Sequence, residues 1–177
     1  MELTGKYRHE LKYSISLADR MALVRRLRPL MQRDPHTDET GRYTIRSVYF
    51  DNYKDKALRE KRNGVQTREK FRIRYYNDDL SFITLEKKIK HNDLCKKLDA
   101  PLTAEEYQLT ELFFRQPRQV FSSAHLFEKI WGLDSQAEMD VVWTYISFLR
   151  RKLKQIGADV EIRTIRGAGY ALEEMPC

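Results

Sequence analysis

The apolar positions change period partway along the chain. YTIRSVYFD at 43–51, REKFRIRYY at 68–76 and LSFITLEKKIK at 80–90 alternate apolar with polar residues, and each predicts a strand. Asn77-Asp78-Asp79 separates the last two as a turn. Upstream, YRHELKYSI at 7–15 alternates well enough for another strand, with Arg8, Glu10 and Lys12 on one face. Ser16 followed by Asp19 predicts a capped helix over LADRMALVRRLRPLM, with Leu17, Met21, Val24, Leu27 and Leu30 as its apolar stripe. Lys54 to Lys61 suits a helical turn or two ahead of Asn63-Gly64.

After residue 102 the period becomes helical. Thr103 with Glu106 three residues on predicts a capping box, and Tyr107, Leu109, Leu112 and Phe113 follow as an apolar face that stops before Pro117. Ser122 or Ser123 caps a second helix carrying Leu126, Phe127, Ile130 and Trp131, ended by Gly132. The longest periodic segment is 139–156, whose stripe is Val142, Ile146, Leu149 and Leu153, with Gly157 as the stop. VEIRTIRGAGYAL then reads as a hairpin turning at Arg166-Gly167-Ala168-Gly169. Three helices followed by a hairpin make a winged helix, whose third helix suits a major groove and whose wing suits the DNA backbone or minor groove. The change of period divides the chain into 1–101 and 102–177, with DAP at 99–101 and TDETG at 37–41 as linker candidates.

Charge follows the same division. The formal net charge is +7, but residues 108–177 carry nine basic and nine acidic side chains while residues 1–107 carry 24 and 17. An excess of that sign favours polyanionic partners. Cys95 and Cys177 are the two cysteines, far apart and without His at ligand spacing, so neither a disulfide framework nor a zinc site is indicated. No apolar run approaches the roughly 18 residues of a membrane span, and a soluble cytoplasmic protein is the default expectation.

Two readings of the basic strands stay open on pattern alone. Arg68, Lys70, Arg72 and Arg74 share one face of their strand, and such a face is either solvated or the wall of a channel holding a phosphate chain or nucleoside triphosphate. Glu10 among these cations would hold a divalent metal or simply pair with Lys or Arg. In the last part, Arg150, Arg151, Lys152 and Lys154 concentrate cations on one helix and Arg166 tips the hairpin; DNA contact and packing of Trp143, Tyr145 and Phe148 in a protein-docking module are the alternatives.

Arg8-x-Glu10-x-Lys12-Tyr13, Ser47-Val48-Tyr49-Phe50-Asp51, Lys70-Phe71-Arg72-Ile73-Arg74-Tyr75 and Leu85-Glu86-Lys87-Lys88 resemble, in order, the VTC-type polyphosphate polymerase domain of the triphosphate tunnel metalloenzymes. The resemblance implies a tunnel-like antiparallel sheet. Arg8, Lys12, Arg72, Arg74 and Lys88 would contact phosphate, and Glu10 would hold Mg or Mn; Glu86 would serve there or orient a Lys. The second set of strands that completes such a tunnel does not follow, so turnover would require closure by another route, such as pairing between subunits.

Leu102-Thr103-x-x-Glu106-Tyr107, Leu126-Phe127-Glu128-Lys129-Ile130-Trp131-Gly132, Ile146-Ser147-x-Leu149-Arg150-Arg151-Lys152-Leu153 and Ile162-Arg163-Thr164-Ile165-Arg166-Gly167-x-Gly169-Tyr170 resemble the OmpR-family effector domain of response regulators. This resemblance implies DNA-binding transcriptional regulation without a cofactor. Thr144, Tyr145, Ser147, Phe148, Arg150 and Arg151 fall on or beside the DNA-facing positions of its recognition helix, and Arg166 on its wing. Asp140, Ser147 and Phe148 stand where that family often has Arg. The family's short antiparallel sheet ahead of Leu102 is not evident either, and the basic strands are its natural replacement.

The combined expectation is an α+β chain in which a partial tunnel-like antiparallel sheet joins a winged helix-turn-helix. The leading function is regulation of transcription on double-stranded DNA, with homodimerisation as a further expectation. The alternative is a metal-dependent protein that binds polyphosphate or nucleoside triphosphate.

Overall fold

The computed structural model describes residues 6–52, 54–132 and 135–175. Its elements are β1 (Arg8–His9), α1 (Leu17–Leu27), β2 (Ile45–Phe50), α2 (Lys56–Arg62), β3 (Thr67–Tyr76), β4 (Asp79–His91), β5 (Leu94–Leu102), α3 (Ala104–Arg115), α4 (Ser123–Trp131), α5 (Val141–Gln155), β6 (Val160–Ile165) and β7 (Gly169–Glu174). Five antiparallel strands form one sheet in the order β1-β5-β4-β3-β2, and β6 and β7 form a separate hairpin.

The turn between β3 and β4 is set by its residues. Asn77 and Asp78 both take left-handed backbone, φ 52° and 58°, the pairing whose twist suits a two-residue hairpin. Register then places Ile73 opposite Leu85 and Leu85 opposite Ala100, so one face of the sheet is apolar across three strands. Arg72, Glu86 and Asp99 form the equivalent row on the other face.

The apolar face is covered by α3. Ile73, Ile83, Leu85, Leu98, Ala100 and Leu102 belong to a buried cluster that continues through Leu109 and Phe113 of α3 into Val142, Ile146, Leu149 and Leu153 of α5. Burying one such side chain stabilises the fold by roughly 1.5–3 kcal/mol, so the sheet and the helices hold each other in place. The basic strands thus form the platform beneath the helices, as the sequence suggested.

The expected tunnel is not there. The sheet is open, with β1 and β2 as its two edges, and they do not pair with each other. The segment expected to carry a strand from 7 to 15 contributes only Arg8–His9, paired with Cys95 and Leu94, and residues 10–15 are exposed. Closure would need strands to bridge the two edges, whereas the chain passes from β5 directly into α3. The VTC-type resemblance and the tunnel-like fold class are therefore corrected to an open sheet packed on a winged helix.

Two further elements depart from expectation. DAP at 99–101 is not a linker but the end of β5, where Leu98, Ala100 and Leu102 are buried in alternation. Pro101 is tolerated because β5 meets β1 only at Leu94 and Cys95, leaving an unpaired edge for a residue without an amide hydrogen. The capping box of α1 forms as expected, Ser16 with Asp19, yet no residue of this helix is buried.

Candidate nucleic-acid interface

The predicted stripe of α5 is the buried one: Val142, Ile146, Leu149 and Leu153 are each under 5% exposed. That fixes the opposite face. Trp143 is 64% and Phe148 37% exposed, and Arg151 and Lys154 point outward as well. Thr144 and Ser147 are half-buried on the flanks, and the Ser147 hydroxyl donates to the Trp143 carbonyl at 2.9 Å. Tyr145 meets Trp131 edge-on at 5.2 Å between ring centroids and Phe148 at 6.0 Å. Burial, then the nearby carboxylates of Glu105 and Glu106, push its hydroxyl pKa up, so it remains protonated at neutral pH. Arg151 lies 5.2 Å from the Phe148 ring centroid, a cation–π contact at the helix surface.

Arg150 is committed elsewhere. Its Nε donates to the Ile162 carbonyl at 2.7 Å and one terminal nitrogen to Thr164 Oγ1 at 2.8 Å, with the guanidinium 5.9 Å from the Tyr170 ring centroid. It therefore ties α5 to β6 of the wing. Arg166 occupies the exposed β6–β7 turn, beside Gly167 at φ 72°.

The base of the wing is locked by Gly169, at φ 140°; a Cβ there would stand 1.9 Å from the Phe121 carbonyl oxygen. That close approach lets Phe121 and Tyr170 exchange backbone hydrogen bonds at 2.8 and 2.9 Å. The C-terminal half of α5 is anchored by three contacts, one to α3 and two to the sheet. Lys152 Nζ bonds Glu106, itself 1% exposed; Lys87 Nζ donates to the Gly157 carbonyl at 2.7 Å; and Gln155 reaches the Asp99 carbonyl at 3.5 Å. Sequence reading marks Glu106 only as the capping-box partner of Thr103 and Lys87 only as part of a strand motif, and neither as an anchor for α5. A polar residue inside an apolar stripe was the signal available for both.

The residues expected to bind phosphate lie on the polar side of the sheet or at its edge, and ion pairs occupy most of them. Arg72 Nε donates to Glu86 at 2.6 Å and a terminal nitrogen to Tyr49 Oη at 3.0 Å; Lys97 reaches the other Glu86 oxygen at 2.9 Å. Glu86 is 2% exposed. Burial alone would raise its pKa, but the hydrogen bonds from Lys97 and Arg72 prevail and hold it below the ordinary value.

Glu10, the metal candidate, instead bonds Lys88 and lies 3.8 Å from Lys12. The Lys88 bond, helped by one from Cys95, keeps its carboxyl below the ordinary value. Among the described residues no three His, Cys, Asp or Glu side chains come together to hold a metal ion, so Mg or Mn finds no support. Arg8 is exposed at the sheet edge. Arg74 reaches Tyr76 Oη at 3.5 Å, and its buried Nε has no hydrogen-bond partner. Cys95 is buried and forms no disulfide, while Cys177 lies outside the described residues. No helix among the described residues is long and apolar enough to cross a membrane.

Residues 97–172, the end of β5 through most of β7, match the family model for the C-terminal part of transcriptional regulatory proteins. The chain is 39% identical over 79 residues to the transcriptional regulatory protein DltR of Streptococcus agalactiae serotype III, covering 45% of this chain and 35% of that one. It is 42% identical over 73 residues to the heme response regulator HssR of Staphylococcus saprophyticus, covering 41% and 33%. The chain thus spans about a third of the length of these curated relatives. Among solved structures it is similar to the DNA-binding domain of the response regulator AdeR in complex with an intercistronic region, at 30% identity and a TM-score of 0.40, covering 50% of this chain and 86% of that one.

Proposed function

We propose that this chain is a DNA-binding transcriptional regulator that places the outer face of α5 in a major groove and the β6–β7 turn against the neighbouring backbone or minor groove. The observation that carries this reading is the Arg150 bridge. It fixes the hairpin to the helix, so that Arg151 and Arg166 are presented together from one rigid unit. The match of residues 97–172 to the C-terminal part of transcriptional regulators supports the same reading. On it, Thr144, Ser147 and Phe148 approach base edges, Arg151 and Arg166 approach phosphates or the minor groove, and Tyr145 and Arg150 hold the surface in shape.

This is a binding function, not a reaction. A polymerase reading required a closed tunnel, and the sheet is open. The pairing of Glu86 with Arg72 and Lys97, and of Glu10 with Lys88, supports the reading in which these carboxylates pair with Arg and Lys in place of a phosphate chain or a metal.

Duplexes enriched from a random pool on the purified chain, followed by fluorescence anisotropy at several salt concentrations, provide the test. Arg151→Ala and Arg166→Ala are each expected to weaken binding and to reduce the salt dependence by about one phosphate contact. Enrichment of no sequence, or affinity unaltered in both variants, would remove the proposed interface.

A further inference from the structure

The amino-terminal segment carries a surface that neither the core nor the proposed DNA interface uses. Ten large apolar side chains between Leu11 and Met31 are from 42% to 79% exposed, and α1, with Leu17, Met21, Val24 and Leu27, buries nothing. Summed over the ten, the exposed residue surface is on the order of 1,000 Å², comparable with the about 800 Å² each partner buries in a stable complex. An 11-residue helix without tertiary packing is also marginal in water even with its capping box.

Charge selects what covers it. From Lys6 to Arg33 there are eight Lys and Arg side chains against Glu10 and Asp19, and every residue in that span is exposed. A second copy would bring the same excess of positive charge against itself. A bilayer surface bearing anionic lipid satisfies both requirements, because apolar side chains enter the acyl boundary while cations remain at the headgroups. Around α1, Leu17, Met21, Val24 and Leu27 fall within one half of the helix, Arg25 borders that half and Arg26 lies on the opposite face. Arg20 and the helix-capping Arg28, whose backbone is still helical, fall inside the apolar half, each on a stem long enough to lift its guanidinium to the headgroups.

We propose that α1 and the extended segment before it form a membrane-surface docking element for anionic bilayers, with the helix lying in the interface rather than spanning it. The element is separate from α5 and the wing, and the inference does not depend on the proposed DNA function.

The test is co-sedimentation of the full chain with vesicles of phosphatidylcholine alone and of phosphatidylcholine mixed with phosphatidylglycerol. The expected result is sedimentation with the mixed vesicles, weaker in high salt and negligible with phosphatidylcholine alone. Met21→Gln/Val24→Gln/Leu27→Gln, which keeps the charge and uses good helix formers at exposed positions, is expected to abolish it without changing the thermal unfolding midpoint. Three outcomes would overturn the proposal: no sedimentation with anionic vesicles, sedimentation undiminished in the triple variant, or a dimer in light scattering that the triple variant makes monomeric. The second would mean that cations elsewhere carry the binding, and the third that another copy of the chain covers the stripe.

Discussion

Lys87 on β4 and Gly157 just beyond α5 are joined by a hydrogen bond of 2.7 Å from the lysine Nζ to the glycine carbonyl. The same ammonium lies 2.8 Å from Glu69, although Lys87 as a whole is only 7% exposed. Gly157 lies just past the helix cap, so the ammonium satisfies a carbonyl outside the helix while standing near the partial negative charge of the α5 C-terminal end. Lys87→Met keeps the apolar stem and removes the ammonium. It is expected to lower stability by about 1–3 kcal/mol, measured by urea denaturation, because the Gly157 carbonyl and the charge on Glu69 lose their partner.

Glu106 is nearly fully buried and accepts from both Lys152 Nζ and the Thr103 amide, the latter at 2.8 Å. Removing either charge alone leaves the other desolvated. Lys152→Met or Glu106→Leu is therefore expected to cost about 3–5 kcal/mol. The double variant should cost clearly less than the two combined, and a double-mutant cycle on unfolding free energies reads the coupling directly.

Arg150 and Arg151 are adjacent in sequence but differ in what they touch. Loss of Arg151 is expected to weaken duplex binding while leaving the unfolding midpoint unchanged. Arg150→Ala removes the bonds to Ile162 and Thr164, and is expected to lower stability by about 1–2 kcal/mol and to speed amide exchange in β6. If Arg150→Ala left exchange in the wing untouched, the bridge would not be what positions it.

Acid should loosen the sheet through Glu86. Its carboxyl is held below the ordinary value of 4.5, so the folded state binds its proton less readily than the unfolded chain does. The stability this contributes is fully present above that value and is lost as pH falls through the lower, folded-state value. The urea midpoint is accordingly expected to fall on acidification below about 4.5. Glu86→Gln should be less stable at neutral pH and should show a flatter profile through that window.

Gly169 should tolerate no side chain, since the Phe121 carbonyl occupies the space where a Cβ would go. Gly169→Ala is expected to cost about 2 kcal/mol or more and to broaden the amide resonances of Phe121 and Tyr170. Gly167, also at positive φ but with nothing within 4 Å of its Cβ direction, should accept Asn with little loss.

Much of the helical part was legible because each helix carries its own signals. Thr103 with Glu106, Ser122, and the stripe from Val142 to Leu153 are local, and the structure uses all of them. The hairpin between β3 and β4 was legible for the same reason, since Asn77 and Asp78 suit its backbone. What failed depended on distant partners. Strand β5 was hidden by Pro101, whose acceptability follows from an unpaired edge that the sequence does not display. Lys87 lies in an apolar row, and its acceptor is 70 residues away. The alternating cations of β3 were compatible with a channel wall and with an open face, and only the pairing order of the strands separates these.

At the candidate interface the same limit applies at shorter range. Helical spacing placed Arg150 beside Arg151 among the cations of α5. It could not show that the wing folds back to supply Ile162 and Thr164 as acceptors, which turns one of the two arginines inward.

Strand β5 ends at Leu102, and Thr103, the next residue, already caps α3. With no slack at that joint, a tilt imposed on the sheet is passed to the helices like motion through a welded lever. A force or contact that reorients the strands must therefore reorient the outer face of α5 by the same angle, or else break the joint.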